Sequence, residues 1–202
     1  MRILIVGSTG LLGTALARAL GAPGQGHEIL GASRRSVVPV DLTDPVSIGE
    51  LYRTVGEIDA VVCAAGSARK GALADLSFDD TSASLGDKLL GQIELVRQGL
   101  PYVANGGSFT LVSGITAYEP IRDSSLLAAV NSGIDGFVRG AAVGLPRGIR
   151  INSVSASVFS EAWDAYGADF PGFAPVSTAE VARAFVKSVE GVQTGQTYRV
   201  GF

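Results

Sequence analysis

Along this chain, short apolar runs alternate with longer stretches in which apolar residues recur every three or four positions. Ile3, Leu4, Ile5 and Val6 form the first run; it is short and bounded by a glycine turn, so it reads as a buried strand. Leu12, Leu16 and Ala19 then repeat with helical period. Residues 21–26, with Pro23, read as a loop, and residues 27–32 and 37–40 as two further strands. Asp44 followed by Pro45 marks a helix reaching about Val55, the carboxylate as N-cap and the proline in the first turn. Residues 58–65 form a fourth strand, ending at Gly66.

Further on, Leu85, Leu89 and Ile93 lie on one face of a long helix predicted over 79–98. Strands follow over 108–112, 150–154 and 196–200. A second long helix is predicted over 126–145, and a last one opens at the Ser177/Glu180 capping box and runs to about Glu190. Strands alternate with helices throughout, and the strands are continuously apolar rather than alternating. That pattern predicts a parallel sheet of about seven strands covered on both faces. The expected fold is a doubly wound, Rossmann-like α/β/α sandwich forming a single domain over 1–202.

The passage from first strand to first helix carries the strongest chemical signal. Gly7, Ser8, Thr9, Gly10, Leu11, Leu12 and Gly13 place three glycines in a GxxGxxG spacing between a strand and a helix. Glycine permits the unusual dihedrals of such a turn and lets the backbone approach a pyrophosphate. The unpaired amides at the helix N-terminus then face the anion. The same glycines would also suit a purely structural turn.

Composition narrows the class. The chain has 202 residues and a formal charge of −3, which gives no bias toward nucleic acid or an acidic membrane surface. Its 47% hydrophobic content is dispersed in runs too short to span a bilayer. With a strand starting directly after Arg2, no signal peptide is expected, and a cytoplasmic protein follows. A lone cysteine, Cys63, excludes an internal disulfide, and a lone histidine, His27, excludes a His-rich metal site; no bound metal is expected. His27 reads as a surface residue and Cys63 as a small buried thiol.

Dinucleotide folds that favour NAD carry an acid about 20 residues beyond the glycines, to bind the ribose 2′-hydroxyl. Here that position is Ser33, followed by Arg34 and Arg35. Two guanidiniums suit a 2′-phosphate, so NADP(H) is expected over NAD(H), although a solvated Arg-Arg turn asks for no ligand. Asp41 and Leu42, after the third strand, would flank an adenine.

These features resemble the short-chain dehydrogenase/reductase family over nearly the whole chain. The glycine turn, Asp41 with Leu42, Ala64-Ala65-Gly66 at the end of the fourth strand, Ser113 after the fifth, the run from Arg150 to Ser155 and the tail from Thr194 to Thr197 fall in the family's order. The resemblance implies carbonyl or alcohol chemistry by a Ser, a Tyr and a Lys four residues later, assisted by an Asn. Aligned on Ile134, Gly136, Phe137 and Arg139, however, the tyrosine position is Leu127 and the lysine position Asn131. The family's Asn-Leu-x-Gly pattern aligns with Lys88, Leu89, Leu90 and Gly91, so Lys88 stands where Asn is usual. An amide and a cation have changed places across one site.

Lys88 is therefore expected to bring positive charge near the nicotinamide ribose or substrate oxygen; as a solvated helix lysine it would do neither. Ser113 would polarise a carbonyl. Tyr118, on the loop entering the pocket, is a candidate acid, or else a packing residue, and Glu119 is a weaker candidate. Residues 156–176 hold Phe159, Trp163, Tyr166, Phe170 and Phe173, which would make a lid over an apolar or aromatic substrate, or else a self-packed loop. Ala156 and Ser157 replace the Pro-Gly usual at this point.

Three functions fit these residues. The first is an NADPH-dependent oxidoreductase with a non-standard active site, reducing a small apolar or aromatic carbonyl compound. The second is an NADP-binding sensor, scaffold or inactive subunit, and the third a non-redox isomerase, cyclase or lyase using the same pocket. Small residues along the second long helix, together with the resemblance, imply a homodimer or homotetramer.

Overall fold

Strand β1 (Arg2–Val6) lies in the middle of one parallel sheet, paired with β2 (Glu28–Ser33) on one side and β4 (Ile58–Cys63) on the other. Beyond β2 lies the short β3 (Val38–Pro39). Beyond β4 come β5 (Val103–Val112), β6 (Arg150–Ala156) and β7 (Thr197–Val200). The order β3-β2-β1-β4-β5-β6-β7 puts the topological switch between β1 and β4, where this class of sheet opens a ligand crevice at the strands' C-terminal ends. The structure is a computed structural model describing residues 1–24 and 26–202. Gln25, within the loop expected over 21–26, lies outside the described residues.

Alternate residues of the strands feed two apolar layers, as a sheet buried on both faces requires. Ile3, Ile5, Ala60 and Val62 pack under α1 (Leu11–Leu20) and the last helix (Thr178–Glu190). Leu4, Val6, Val61 and Cys63 pack under α2 (Pro45–Val55), α4 (Gly91–Gly99) and α5 (Ser125–Ala142). The predicted caps are present: Asp44 accepts from the Val46 amide at 2.9 Å, and Ser177 and Glu180 form a reciprocal capping box.

Several boundaries differ from expectation, for local reasons. The helix predicted over 79–98 is three pieces: α3 (Phe78–Ser84), a π-helical turn (Leu85–Leu90) and α4. Apolar periodicity does not register the extra residue of a π turn. Strand β5 starts at Val103, five residues before the apolar run, because Gly106 (φ +74) and Gly107 form a bulge that interrupts the hydrophobic pattern. Helix α5 stops at Ala142, ahead of Gly144 and Pro146. His27 is not freely solvated, since its side chain is 9% exposed and its Nε2 lies 3.2 Å from Glu190.

Candidate functional site

The glycine turn is built by close contact. Gly7 has φ +86, and a Cβ there would lie 2.8 Å from the Ala64 carbonyl oxygen; a Cβ on Gly13 would lie 2.0 Å from the oxygen of Gly7. Gly10 differs, because its Cβ would meet nothing closer than 3.5 Å. Its lack of a side chain leaves space in front of the turn. Gly10 is also the N-cap of α1, and no side chain caps that helix, so first-turn amides are available to an anion.

A groove of about 340 Å³ opens there, lined by Gly7, Thr9, Gly10, Ser33, Arg34, Arg35, Asp41, Leu42, Ala64, Ala65 and Gly66. Most of the expected cofactor residues thus converge from four separate strand ends. Four do not reach the groove. Ser8 turns back to the Ala32 carbonyl at 3.3 Å, while Leu12 and Gly13 are buried beneath the turn, so these residues shape the groove rather than face it. Leu11 lines the neighbouring cavity instead.

At the far end of the groove, Arg34 and Arg35 are exposed, and neither forms an ion pair among the described residues. The loop holding them is tied by Ser36, whose Oγ accepts from the Ser33 amide at 2.7 Å. Asp41 accepts from the Thr43 amide and hydroxyl at 2.9 and 2.8 Å. These bonds, with the charge of Arg34, hold its carboxyl below the usual range. Asp87 also lines the groove and is held by the Ser67 hydroxyl at 2.6 Å. Sequence reading missed it, because nothing in the spacing brings residue 87 beside residue 67.

Gly66 and Ser67 also border a second cavity of about 470 Å³, which carries Lys88, Ser113 and Asn131 on one wall. Lysine and asparagine thus line the same space, as does Leu127, the residue aligned with the family's tyrosine. Ser113 and Asn131 are buried, and Ser113 Oγ and Asn131 Oδ1 have no hydrogen-bond partner among the described residues. Asn131 Nδ2 donates to Thr116 Oγ1 at 2.8 Å, which aims the amide. Buried polar atoms are rarely left without partners, so these two are suited to a bound molecule's hydroxyl or carbonyl.

Lys88 sits on the π turn, and Gly66 makes room for it: a Cβ on Gly66 would lie 3.0 Å from Lys88 Cα. Burial lowers the Lys88 pKa, opposed by Cys63 and by the charges of Asp87 and Asp135. Burial likewise pushes the Cys63 thiol up to about 12, so the cysteine is neutral and inert.

Tyr118 does not enter the cavity. Its ring packs against Phe202 and under Arg199, and its hydroxyl donates to Asp135 at 3.0 Å. Desolvation, then the charge of Asp135, raises its pKa. Its expected role as an acid facing substrate is corrected accordingly, and Glu119, exposed on the same loop, does not line the cavity either. The five aromatics of residues 156–176 divide: Phe159, Tyr166 and Phe170 line the cavity, Trp163 packs over Gly167, and Phe173 stacks edge-on against Phe170 at 5.6 Å. An ion pair between Lys70 and Asp169 ties this segment to the loop after β4.

The cradle left open at Gly10 and the two unpartnered buried atoms at the far end of the crevice fit an extended dinucleotide. A family model described as enoyl-(acyl carrier protein) reductase matches residues 14–192. The chain belongs to the short-chain dehydrogenase/reductase family of oxidoreductases. It is similar to the protein lin1944 from Listeria innocua, at 42% identity and a TM-score of 0.95 over 98% of both chains. A Burkholderia cenocepacia short chain dehydrogenase solved with NADP is 25% identical, with a TM-score of 0.84, over 98% of this chain and 95% of its own. An uncharacterised oxidoreductase of Staphylococcus aureus is 23% identical over 133 residues, 62% of this chain and 58% of that protein's length. No helix among the described residues is long and apolar enough to cross a membrane.

Proposed function

We propose that this protein is an NADP(H)-dependent oxidoreductase that reduces a small apolar or aromatic carbonyl compound with a rearranged set of polar residues. The observation that carries the reading is the continuity of the crevice, with unpaired Arg34 and Arg35 at one end and Lys88, Ser113 and Asn131 at the other. The NADP-bound Burkholderia relative supports the choice of cofactor.

Arg34 and Arg35 would bind the 2′-phosphate, the amides opening α1 the pyrophosphate, and Asn131 Oδ1 a ribose hydroxyl. When bound, the nicotinamide supplies a hydride. The Ser113 hydroxyl would donate to the substrate carbonyl oxygen, and Lys88 Nζ would hold positive charge there and give that oxygen its proton. A lysine whose pKa is lowered by burial gives up its proton more readily than an exposed one. Phe159, Tyr166 and Phe170 would exclude water and set a preference for apolar substrates.

Leu127 supports a second reading, binding of NADP without turnover, since it puts a hydrocarbon where the family's proton donor stands. The two separate cleanly. Calorimetric titration with NADPH and NADH, followed by NADPH absorbance across a panel of aldehydes and ketones, should show preferential NADPH binding and consumption with at least one substrate class. Binding without consumption across the panel would leave the second reading standing, and absence of NADPH binding would remove both.

Self-association belongs to the same proposal. Ala129, Gly136 and Gly140 lie exposed along α5, where small residues permit close helix contact between two or four copies. Elution as a monomer at micromolar concentration would exclude it.

A further inference from the structure

Two carboxylates stand where the groove meets a further, polar groove of about 690 Å³: Asp41, after β3, and Asp87, on the π turn. They are held alike. Asp41 Oδ1 accepts from the amide and hydroxyl of Thr43, and Asp87 Oδ2 accepts from the amide and hydroxyl of Ser67 at 3.2 and 2.6 Å. Each acid thus spends one oxygen on a contact that fixes it. The other oxygens, Asp41 Oδ2 and Asp87 Oδ1, have no hydrogen bond or ion pair among the described residues.

The π turn serves two spaces with successive residues, since Asp87 lines the groove and Lys88 the cavity. A carboxylate oxygen only accepts hydrogen bonds, and its charge repels phosphate. The phosphates of a dinucleotide are therefore left to the amides opening α1 and to Arg34 and Arg35, and what lies against Asp41 and Asp87 must donate. The same groove offers the apolar Leu42 and Ala65, which suit the faces of a flat base. On adenine the donor is the exocyclic 6-amino group, whose N–H bonds can serve two acceptors.

We infer that Asp87 is a specificity-determining residue that, together with Asp41, reads the 6-amino group of the cofactor's adenine through its unengaged oxygen. The inference rests on the dinucleotide reading above and gives Asp87 a role apart from the arginines: they read phosphate, and it reads the base. It also accounts for Ser67, which fixes the carboxylate by one oxygen and leaves the second for the ligand.

Calorimetric titration of the intact protein with NADPH and with reduced nicotinamide hypoxanthine dinucleotide phosphate, in which a 6-oxo group and an N1–H replace the adenine amine and N1, tests this without turnover. The wild type should bind NADPH about 10- to 150-fold more tightly, the range of a hydrogen bond to a charged group. In Asp87→Asn the two Ser67 donors still require an oxygen, so the amide nitrogen takes the other position and presents N–H groups in place of lone pairs. The preference should then fall at least about tenfold, with the hypoxanthine dinucleotide bound more tightly than by the wild type, a gain that a damaged fold would not produce. Equal affinity of the wild type for the two dinucleotides would overturn the inference, as would an unchanged preference in Asp87→Asn, and either result leaves the cofactor reading in place. Binding of neither dinucleotide would overturn both.

Discussion

The side-chain amide of Gln92 pairs with both backbone groups of Val112, donating to its carbonyl at 3.0 Å and accepting from its N–H at 3.1 Å. Strand β4 ends at Cys63, before it can pair with Val112, and Gln92 completes the ladder in its place. The contact joins the helix just beyond the Lys88 turn to the strand end that carries Ser113. Replacing Gln92 by leucine would strand two buried backbone groups at a cost of about 3 kcal/mol. A fall in Tm of roughly 6–12 °C should follow for a chain of this size, measured by calorimetry.

Arg34 and Arg35 should set cofactor preference. Replacing both with alanine removes charge-assisted hydrogen bonds to a 2′-phosphate, each worth about 1.5–3 kcal/mol. NADPH affinity should fall about 100-fold or more, with NADH affinity changed much less. Unchanged affinity for both cofactors, by calorimetry, would show that the arginines serve only as a solvated turn, and equal losses that they do not read the 2′-phosphate.

Gly13→Ala should damage the turn without altering any charged group. The added methyl would lie 2.0 Å from the Gly7 oxygen, so α1 must shift away from the turn. A loss of about 1–3 kcal/mol is expected from overpacking of this kind, read by urea denaturation, together with loss of NADPH binding.

Lys88→Met should separate stability from activity. Burial lowers the folded-state pKa of Lys88 below its unfolded value, so the unfolded chain binds more protons between those two values, and the wild type gains stability as pH rises through that window. Below it the full cost of the buried charge is present. The methionine variant should lack that rise, so its stability should change less with pH across this window than that of the wild type. Carbonyl reduction should fall about 100-fold or more. A methionine variant whose stability rises with pH through that window as the wild type's does would contradict the assignment of Lys88 as the titrating group.

The Lys70–Asp169 pair should restrain the aromatic segment only weakly. Partly exposed ion pairs are worth about 0–1 kcal/mol, so Asp169→Asn should speed proteolytic nicking within residues 160–173 by no more than about fivefold. A much larger acceleration would mean that this pair, rather than the packing of Phe159 and Phe170, holds the segment in place.

The order of elements, the parallel sheet and the glycine turn were legible in the sequence, because each follows from local rules: apolar period, caps, and glycine where a Cβ cannot fit. The convergence of Ser33, Asp41 and Ala64 on one groove was legible through resemblance. Even so, spacing did not separate Gly10, which leaves the groove open, from Gly13, which merely packs beneath it. Only tertiary structure decided that Tyr118 turns away from the cavity to Asp135, that Lys88 rides on a π turn, and that Asp87 and Asp135 lie near it. Those relations join residues on different elements, and their energies come from burial and unpaired charge, which depend on what surrounds a side chain in space. The sequence by itself determined where an anion can dock; tertiary structure decided which charges share one buried space, because desolvation makes such charges act on each other only once folding has brought them together.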